Sequence, residues 1–171
     1  MATEKLDTST EPTVKLLIQQ CISAKLQVKP PSADGIADGE FVTIEKGIVA
    51  YVSFLKSATV ESVTRAANIT LNVKLSYDEA TSKLQSALDT NGDVLIIPQA
   101  CLGGKLKGKS FQYHNLMAKD DSHALYQVYI DQCKQIMAAN SVKSSLQHGT
   151  YGNRQVLSVV TNGPFTHVID V

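Results

Sequence analysis

The stretch IVAYVSFL, residues 48–55, is almost entirely apolar. Successive side chains of a strand point to opposite faces of a sheet, so a strand this apolar is covered by other layers on both faces. The stretch therefore predicts the central strand of a layered domain. Directly before it, residues 41–45 predict another strand, separated from the first by the turn Lys46-Gly47.

Further strands are predicted on both sides of this pair. In residues 22–29 the apolar Ile22, Ala24, Leu26 and Val28 alternate with polar residues, which is typical of a half-buried strand. The prolines and the glycine that follow predict a loop. The remaining predicted strands are residues 94–97, 155–160 and 165–171, the last two joined by the turn at residues 161–164.

Two helices are predicted from apolar residues at helical spacing. Ser76 and Glu79 have the spacing of a capping box, and the acidic residues at 120 and 121 favour a helix start. The core stripe of the first helix is Val60, Val63, Ala67 and Leu71, and that of the second is Leu125, Val128 or Tyr129, Cys133, and Ile136 or Met137.

Strands dominate this pattern, so the predicted fold class is α+β. We expect a strand-rich single domain of packed β-sheets covered by two main helices, spanning residues 13–171. Residues 1–12 are polar and charged and predict a disordered tail.

Composition limits the function classes. The 171 residues carry 16 Lys+Arg and 16 Asp+Glu, so net charge gives no sign of a nucleic-acid partner, and any RNA contact should be small, such as one end of the molecule. The three cysteines lack disulfide or metal spacing, which favours free thiols in a reducing compartment and no metal or cofactor. No secretory signal or membrane-spanning stretch is evident, so a cytoplasmic protein without a membrane partner is expected.

Three polar, glycine-containing loops follow or precede predicted strands. They are PQACLGGK at residues 98–105, HGTYGNR at 148–154 and NGPFTH at 162–167. Glycines let backbone N–H groups approach an anion closely, so the first loop suits a phosphate or an ester oxyanion, although a flexible turn with solvated lysines fits the same pattern. A tight hairpin turn is the simpler interpretation of the third loop.

Side-chain catalysis has little support in the sequence. Cys101 with His148 or His167 could form a nucleophile and base, but no specific signature surrounds the cysteine. A buried, inert thiol is the preferred interpretation. No catalytic triad, carboxylate pair or metal-ligand set is evident.

At the same three loops the chain resembles the D-aminoacyl-tRNA deacylase family. PQACLGG (98–104) is similar to the P-Q-A-T-L-G-G of its animal-specific tRNA deacylase branch, where the parent enzymes carry S-Q-F-T-L. TNGPFTH (161–167) matches the branch's T-N-G-P-[FY]-T-H, and GTYG (149–152) also corresponds to a family segment. The resemblance covers the chain from about Leu16 to its last residue.

The resemblance implies a homodimer in which parts of the active site from both subunits meet. The family binds the 3′ end of aminoacyl-tRNA and hydrolyses the ester; backbone amides at Gln99, Ala100 and Cys101 would be catalytic, with the ribose 2′-OH assisting the attacking water. The implied role is translation proofreading on L-alanyl-tRNA(Thr), glycyl-tRNA and D-aminoacyl-tRNA, with no DNA partner. The implied substrate-binding residues are Gly163, Pro164, Gln20, Gly149, Tyr151 and Phe165.

Two positions distinguish this chain within the family. In the parents the Gly-Pro bond is cis and its carbonyls reject L-amino acids, whereas in the branch the bond is trans and the pocket is wider. Gln20 stands where the parents have an arginine in the first strand that supports the cis form, so Gly163-Pro164 is predicted to be trans. Cys101 replaces the family's threonine with a weaker hydrogen-bond donor.

Two alternatives to the deacylase remain at this point. One is a cysteine hydrolase that uses Cys101 as its nucleophile. The other is a module that binds the tRNA end without cleaving it, which the replacement at position 101 makes conceivable.

Overall fold

The computed structural model describes residues 11–34 and 38–171, and it folds in three layers. Two helices cover one face of a five-stranded sheet, and a three-stranded sheet covers part of the other face. The predicted α+β class is therefore confirmed. The strands are β1 (Val14–Cys21), β2 (Ser23–Lys29), β3 (Glu40–Ile44), β4 (Gly47–Phe54), β5 (Ser76–Asp78), β6 (Lys83–Gln85), β7 (Asp93–Pro98), β8 (Lys105–Lys107), β9 (Ser110–Gln112), β10 (Leu146–His148), β11 (Leu157–Val160) and β12 (Thr166–Asp170); the helices are α1 (Val60–Asn72), α2 (Lys119–Ala139) and a 3₁₀ turn (Ala100–Gly103).

The five-stranded sheet has the order β10-β7-β4-β1-β12. Strand β4 runs parallel to β7, and β7 runs parallel to β10, whereas β1 is antiparallel to both of its neighbours. In the predicted central strand, Ala50 and Val52 pack under the helices while Val49 packs against the second sheet. This coverage on both faces confirms the reading of residues 48–55.

The turn at Lys46-Gly47 joins the two sheets. Strand β3 pairs with β2 in the three-stranded sheet β11-β2-β3, and β4 begins the crossing into the larger sheet. A Cβ atom at Gly47 would lie 1.9 Å from the carbonyl oxygen of Asp93. Backbone cannot yield to that contact, so only glycine allows β4 and β7 to start this close together.

Some details of the sequence pattern were wrong. Ile22 is exposed because it lies in the bend between β1 and β2, whereas Ala24 and Leu26 are buried as predicted. Val60 is exposed because it is the first residue of α1 and precedes the part of the helix that packs against the core. The strand β1 itself was not predicted from the alternation of residue types.

The predicted capping box at Ser76 and Glu79 is also wrong, because Ser76 opens the strand β5. The capping box in the structure lies at the start of α1, where Thr59 and Ser62 exchange side-chain and backbone hydrogen bonds. The second predicted helix is confirmed, and its residue Cys133 is fully buried beneath the sheet.

The first and last described strands meet at their outer ends. The amide of Thr13 donates to the carbonyl of Val171 at 2.7 Å, and the amide of Val171 donates to Val14 at 2.9 Å. The predicted tail falls mostly on residues 1–10, which lie outside the described residues, and the domain limits of 13–171 stay a prediction. None of the helices in the described part of the chain is long and apolar enough to cross a membrane.

Candidate functional site

Two of the predicted loops lie at the same edge of the central sheet. The 3₁₀ turn follows β7, and the loop that begins at Gly149 follows β10. Because β7 and β10 are parallel, their carboxyl ends lie side by side. Ala100 and Tyr151 accordingly line one small cavity of about 20 Å³. The structure therefore brings the predicted catalytic segment close to the loop with Gly149 and Tyr151.

The 3₁₀ turn presents two backbone amides without acceptors. The amide of Gln99 donates to Val52 at 2.8 Å, and that of Leu102 donates to the carbonyl of Gln99 at 3.2 Å. Between them, the amides of Ala100 and Cys101 donate to no carbonyl or side chain within the described residues, and both residues are exposed. Adjacent N–H groups at the start of a helical turn are suited to hold an oxyanion.

The thiol of Cys101 is exposed, so its interpretation as a buried residue was wrong. The buried strand β7 ends at Pro98, and the chain has left the sheet by position 101. Burial and the neighbouring Cys101 raise the pKa of the Tyr113 hydroxyl, which lies beside this thiol. His167 lies in β12, three strands and about 14 Å from β7, so the structure does not support it as a base for Cys101.

Tyr126 fixes the loop after β10, and sequence reasoning missed it. Its hydroxyl lies within hydrogen-bond distance of the carbonyls of Gly149, at 3.0 Å, and Ile96, at 3.2 Å, so its single proton is shared between them. Burial raises the pKa of Tyr126 far above its ordinary value, so the hydroxyl stays a donor. The ring of Tyr151 packs between Tyr126 and His123, with centroid separations of 5.6 Å to each. The available sequence signal for Tyr126 was its position, one residue after Leu125 of the predicted core stripe.

The other predicted residues lie together at a different place. The backbone amide of Gln20 donates to the carbonyl of Phe165, and the Gln20 side chain donates to the carbonyl of Leu75. Gly163, Pro164 and Phe165 are exposed. No peptide bond among the described residues is cis, so the Gly163-Pro164 bond is trans.

The two groups of predicted residues lie far apart in the five-stranded sheet, both along the strands and across them. Residue 166 is level with Leu95 across the strands, whereas Gln99 follows the far end of β7. The Gly163-Pro164 segment consequently lies about 20 Å from the 3₁₀ turn along the strands and about 14 Å across them. Within one chain these two parts cannot contact one small substrate. The described residues also contain no cluster of side chains suited to a metal ion.

Comparison with known proteins places the sequence among tRNA deacylases. Residues 17–170 match the profile of the family described as D-Tyr-tRNA(Tyr) deacylase. The chain is 46% identical over 163 residues to D-aminoacyl-tRNA deacylase 2 of Homo sapiens, covering 93% of this chain and 95% of that protein. The protein of the same name from Gallus gallus is also 46% identical, over 160 residues, with coverage of 91% and 94%.

The fold agrees with a solved structure described as a probable eukaryotic D-amino acid tRNA deacylase. The two share 28% sequence identity and superpose with a TM-score of 0.78 over 93% of this chain and 100% of the other. The layered arrangement of sheets and helices is therefore common to both proteins.

Proposed function

This chain belongs to the D-Tyr-tRNA(Tyr) deacylase family and is an aminoacyl-tRNA deacylase, and we propose that it proofreads translation by hydrolysing L-alanyl-tRNA(Thr), glycyl-tRNA and D-aminoacyl-tRNA. The observation that carries this proposal is the pair of backbone amides at Ala100 and Cys101, which have no acceptor among the described residues and belong to exposed residues, one of which lines a cavity. Such a site can stabilise an ester's oxyanion without a side-chain nucleophile.

The proposed reaction is direct attack by water. Water adds to the ester carbonyl, the resulting oxyanion accepts hydrogen bonds from the amides of Ala100 and Cys101, and the 2′-OH of the terminal ribose assists the proton transfers. Collapse of the intermediate breaks the bond to the ribose oxygen and releases the free amino acid and the tRNA hydroxyl. One oxyanion donor of this kind contributes a rate factor of roughly 10²–10³.

The proposed breadth of substrates depends on the Gly163-Pro164 segment. A trans bond would turn its carbonyls away from the pocket and admit L-alanine together with glycine and D-amino acids. Two features support this assignment: the trans geometry of the bond, and the engagement of the Gln20 side chain by Leu75 away from that segment.

The separation of the two groups of site residues supports a homodimer. If a two-fold axis places Gly163 and Pro164 of a second copy over the 3₁₀ turn, the dimer has two complete sites. Leu17 and Val168 face each other across β1 and β12, on the face opposite the helices, and neither belongs to the core cluster between the sheets. Val168 is 69% exposed, as expected of a residue that a partner covers.

We place the enzyme in the cytoplasm, because Cys21, Cys101 and Cys133 are all free thiols. Free thiols in this number are typical of a reducing compartment, and cytoplasmic translation supplies charged tRNA.

Hydrolysis of four charged tRNAs tests the proposal. We expect rapid release of L-alanine from L-alanyl-tRNA(Thr), of glycine from glycyl-tRNA and of D-tyrosine from D-tyrosyl-tRNA, with L-threonyl-tRNA spared. Hydrolysis of the D-ester alone would indicate a strict chiral editor and would contradict the proposed breadth. Hydrolysis of none would contradict the enzyme itself and favour a module that only binds the tRNA end.

A further inference from the structure

The hairpin of β8 and β9 exposes an apolar face next to the candidate site. Leu106, Phe111 and Tyr113 are 65%, 57% and 43% exposed. Leu106 pairs with Phe111 across the hairpin, and Tyr113 lies two residues further on the same side. The rings of Phe111 and Tyr113 are nearly parallel, at 22°, with centroids 6.4 Å apart. Three large apolar side chains exposed side by side indicate a binding surface.

The same segment is basic although the whole chain is neutral. Between Asp93 and Asp120 there is no acidic residue, while lysines occupy positions 105, 107, 109 and 119. Lys105 pairs with Glu11 at 3.0 Å. Lys107 and Lys109, on either side of the turn at Gly108, are exposed and have no ion-pair partner among the described residues. The free positive charge is thus concentrated at the tip of the hairpin.

The aromatic face is continuous with the 3₁₀ turn. A Cβ atom at Gly104 would lie 2.6 Å from Cε1 of Tyr113 and 3.1 Å from Cδ1 of Phe111, so both rings pack directly on the backbone of Gly104. Tyr113 also lies beside Cys101. The exposed rings of Phe111 and Tyr113 therefore lie directly beside the 3₁₀ turn that carries the free amides.

We propose that the hairpin Lys105–Gln112, with Tyr113, is a stacking platform for the single-stranded RNA nucleotides that precede the esterified terminal adenosine. The proposal rests on the proposed function, because it extends the same site along the tRNA. Bases stack on the Phe111 and Tyr113 rings, and Lys107 and Lys109 neutralise the phosphates beyond them. Aromatic rings combined with free cations are the usual means of binding single strands without reading their sequence.

Charge favours RNA over a second copy as the occupant of this face. Two hairpins facing each other across a two-fold axis would bring Lys107 and Lys109 of both copies together, which is unfavourable. A phosphate backbone is attracted to the same lysines. The surface of β1 and β12, which has its own exposed apolar residue Val168, belongs to a different sheet from the hairpin.

The test compares two substrates that differ only in the nucleotides before the adenosine. One is D-tyrosyl-tRNA and the other is the D-tyrosyl ester of adenosine. For Phe111→Ala we expect kcat/KM to fall roughly tenfold more on the tRNA than on the adenosine ester, since a stacked base is lost only with tRNA. Tyr77→Ala removes an equally exposed ring, 61% exposed on β5, and is expected to leave the ratio unchanged. Equal losses on both substrates would overturn the proposal.

Binding of an uncharged RNA separates this proposal from the deacylase itself. The probe is a short ribonucleotide ending in CCA, titrated at several salt concentrations. The Lys107→Ala, Lys109→Ala double variant should weaken binding and reduce the slope of log K against log salt by about 1.4, or about 0.7 for each lost phosphate contact. An unchanged slope, or a change of oligomeric state with unchanged RNA binding, would overturn the platform whether or not the protein hydrolyses esters.

Discussion

The backbone amide of Gln20 donates a 3.1 Å hydrogen bond to the carbonyl of Phe165. Since the Gln20 side chain also donates to Leu75, one residue of β1 connects the Gly163-Pro164 segment to the region that follows α1. Position 20 is therefore suited to influence how that segment is held. The family resemblance also matches position 20 to an arginine of the parent enzymes.

The substitution Gln20→Arg tests this link. A guanidinium offers several donors to nearby carbonyls, and in the parents it accompanies the cis bond. We expect kcat/KM for L-alanyl-tRNA(Thr) to fall about tenfold relative to that for D-tyrosyl-tRNA. Gln20→Ala, which loses the bond to Leu75 without adding an arginine, is the control and should leave the ratio near that of the native enzyme. An unchanged ratio in Gln20→Arg would separate position 20 from chiral selection.

The substitution Ala100→Pro removes one of the two free amides. Proline is tolerated at the first position of a helical turn, and the backbone of Gln99, at φ −139° and ψ 81°, lies outside the α region that a following proline disfavours. We expect kcat to fall roughly 10²–10³-fold. Cys101→Ala keeps the amide and removes the thiol, so its activity should stay within about threefold of the native value. The opposite result, with Cys101→Ala inactive, would establish the cysteine hydrolase instead.

The variants Ala100→Pro and Gly163→Ala, each inactive alone, should together form a mixed dimer that is active. Ala100→Pro damages the 3₁₀ turn, and Gly163→Ala damages the other half, because a Cβ there would lie 2.3 Å from the Phe165 ring. A mixed dimer keeps one intact half from each chain and so has one working site. Co-expression of both chains should give about a quarter of native activity. No recovery in dimers verified to be mixed would mean that each chain carries its whole site.

The substitution Tyr126→Phe removes the hydroxyl that holds Gly149. We expect the free energy of unfolding to fall by about 1–2 kcal/mol and kcat/KM to fall as well, because the loop with Tyr151 is released. Tyr129→Phe is a matched control: its hydroxyl bonds Thr70 in the core, away from the loop. It should cost similar stability in denaturant and little activity. Equal activity losses in both variants would point to general destabilisation.

Alkaline pH should destabilise the fold through Cys133. Burial raises the pKa of its thiol to about 12, whereas an unfolded thiol ionises near pH 8.5. The folded state therefore holds this proton more tightly, so its stabilising effect is complete below about pH 8.5 and is lost as the pH rises toward 12. Between pH 9 and 10, stability should fall by about 1.2 kcal/mol from this group. Chemical denaturation of Cys133→Ala should show a shallower slope; an identical slope would exclude this origin.

The elements predicted correctly from the sequence are those in which the spacing of apolar residues matches the buried face of the strand or helix. Residues 48–55 and the stripe containing Cys133 are covered on the faces that their apolar residues require. The pattern at Ser76 and Glu79 was misleading because a capping box is a local signal, whereas pairing with β6 places Ser76 in the strand β5 and leaves Glu79 in the turn that follows it. Local patterns also do not specify strand order or register, and these together place the loop with Gly149 near the turn of Ala100 and place Pro164 far from it.

The hydrogen bonds between Thr13 and Val171 hold the start of β1 beside the end of β12, so the chain is suited to circular permutation. A short linker at that point would join the two strands without disturbing β1 or β12, and new ends could be opened in the exposed loop at residues 30–34. The resulting circular permutant would keep every contact of the native fold. Its β2 would then be made last, so the folding order of the two sheets could be studied separately from their final structure.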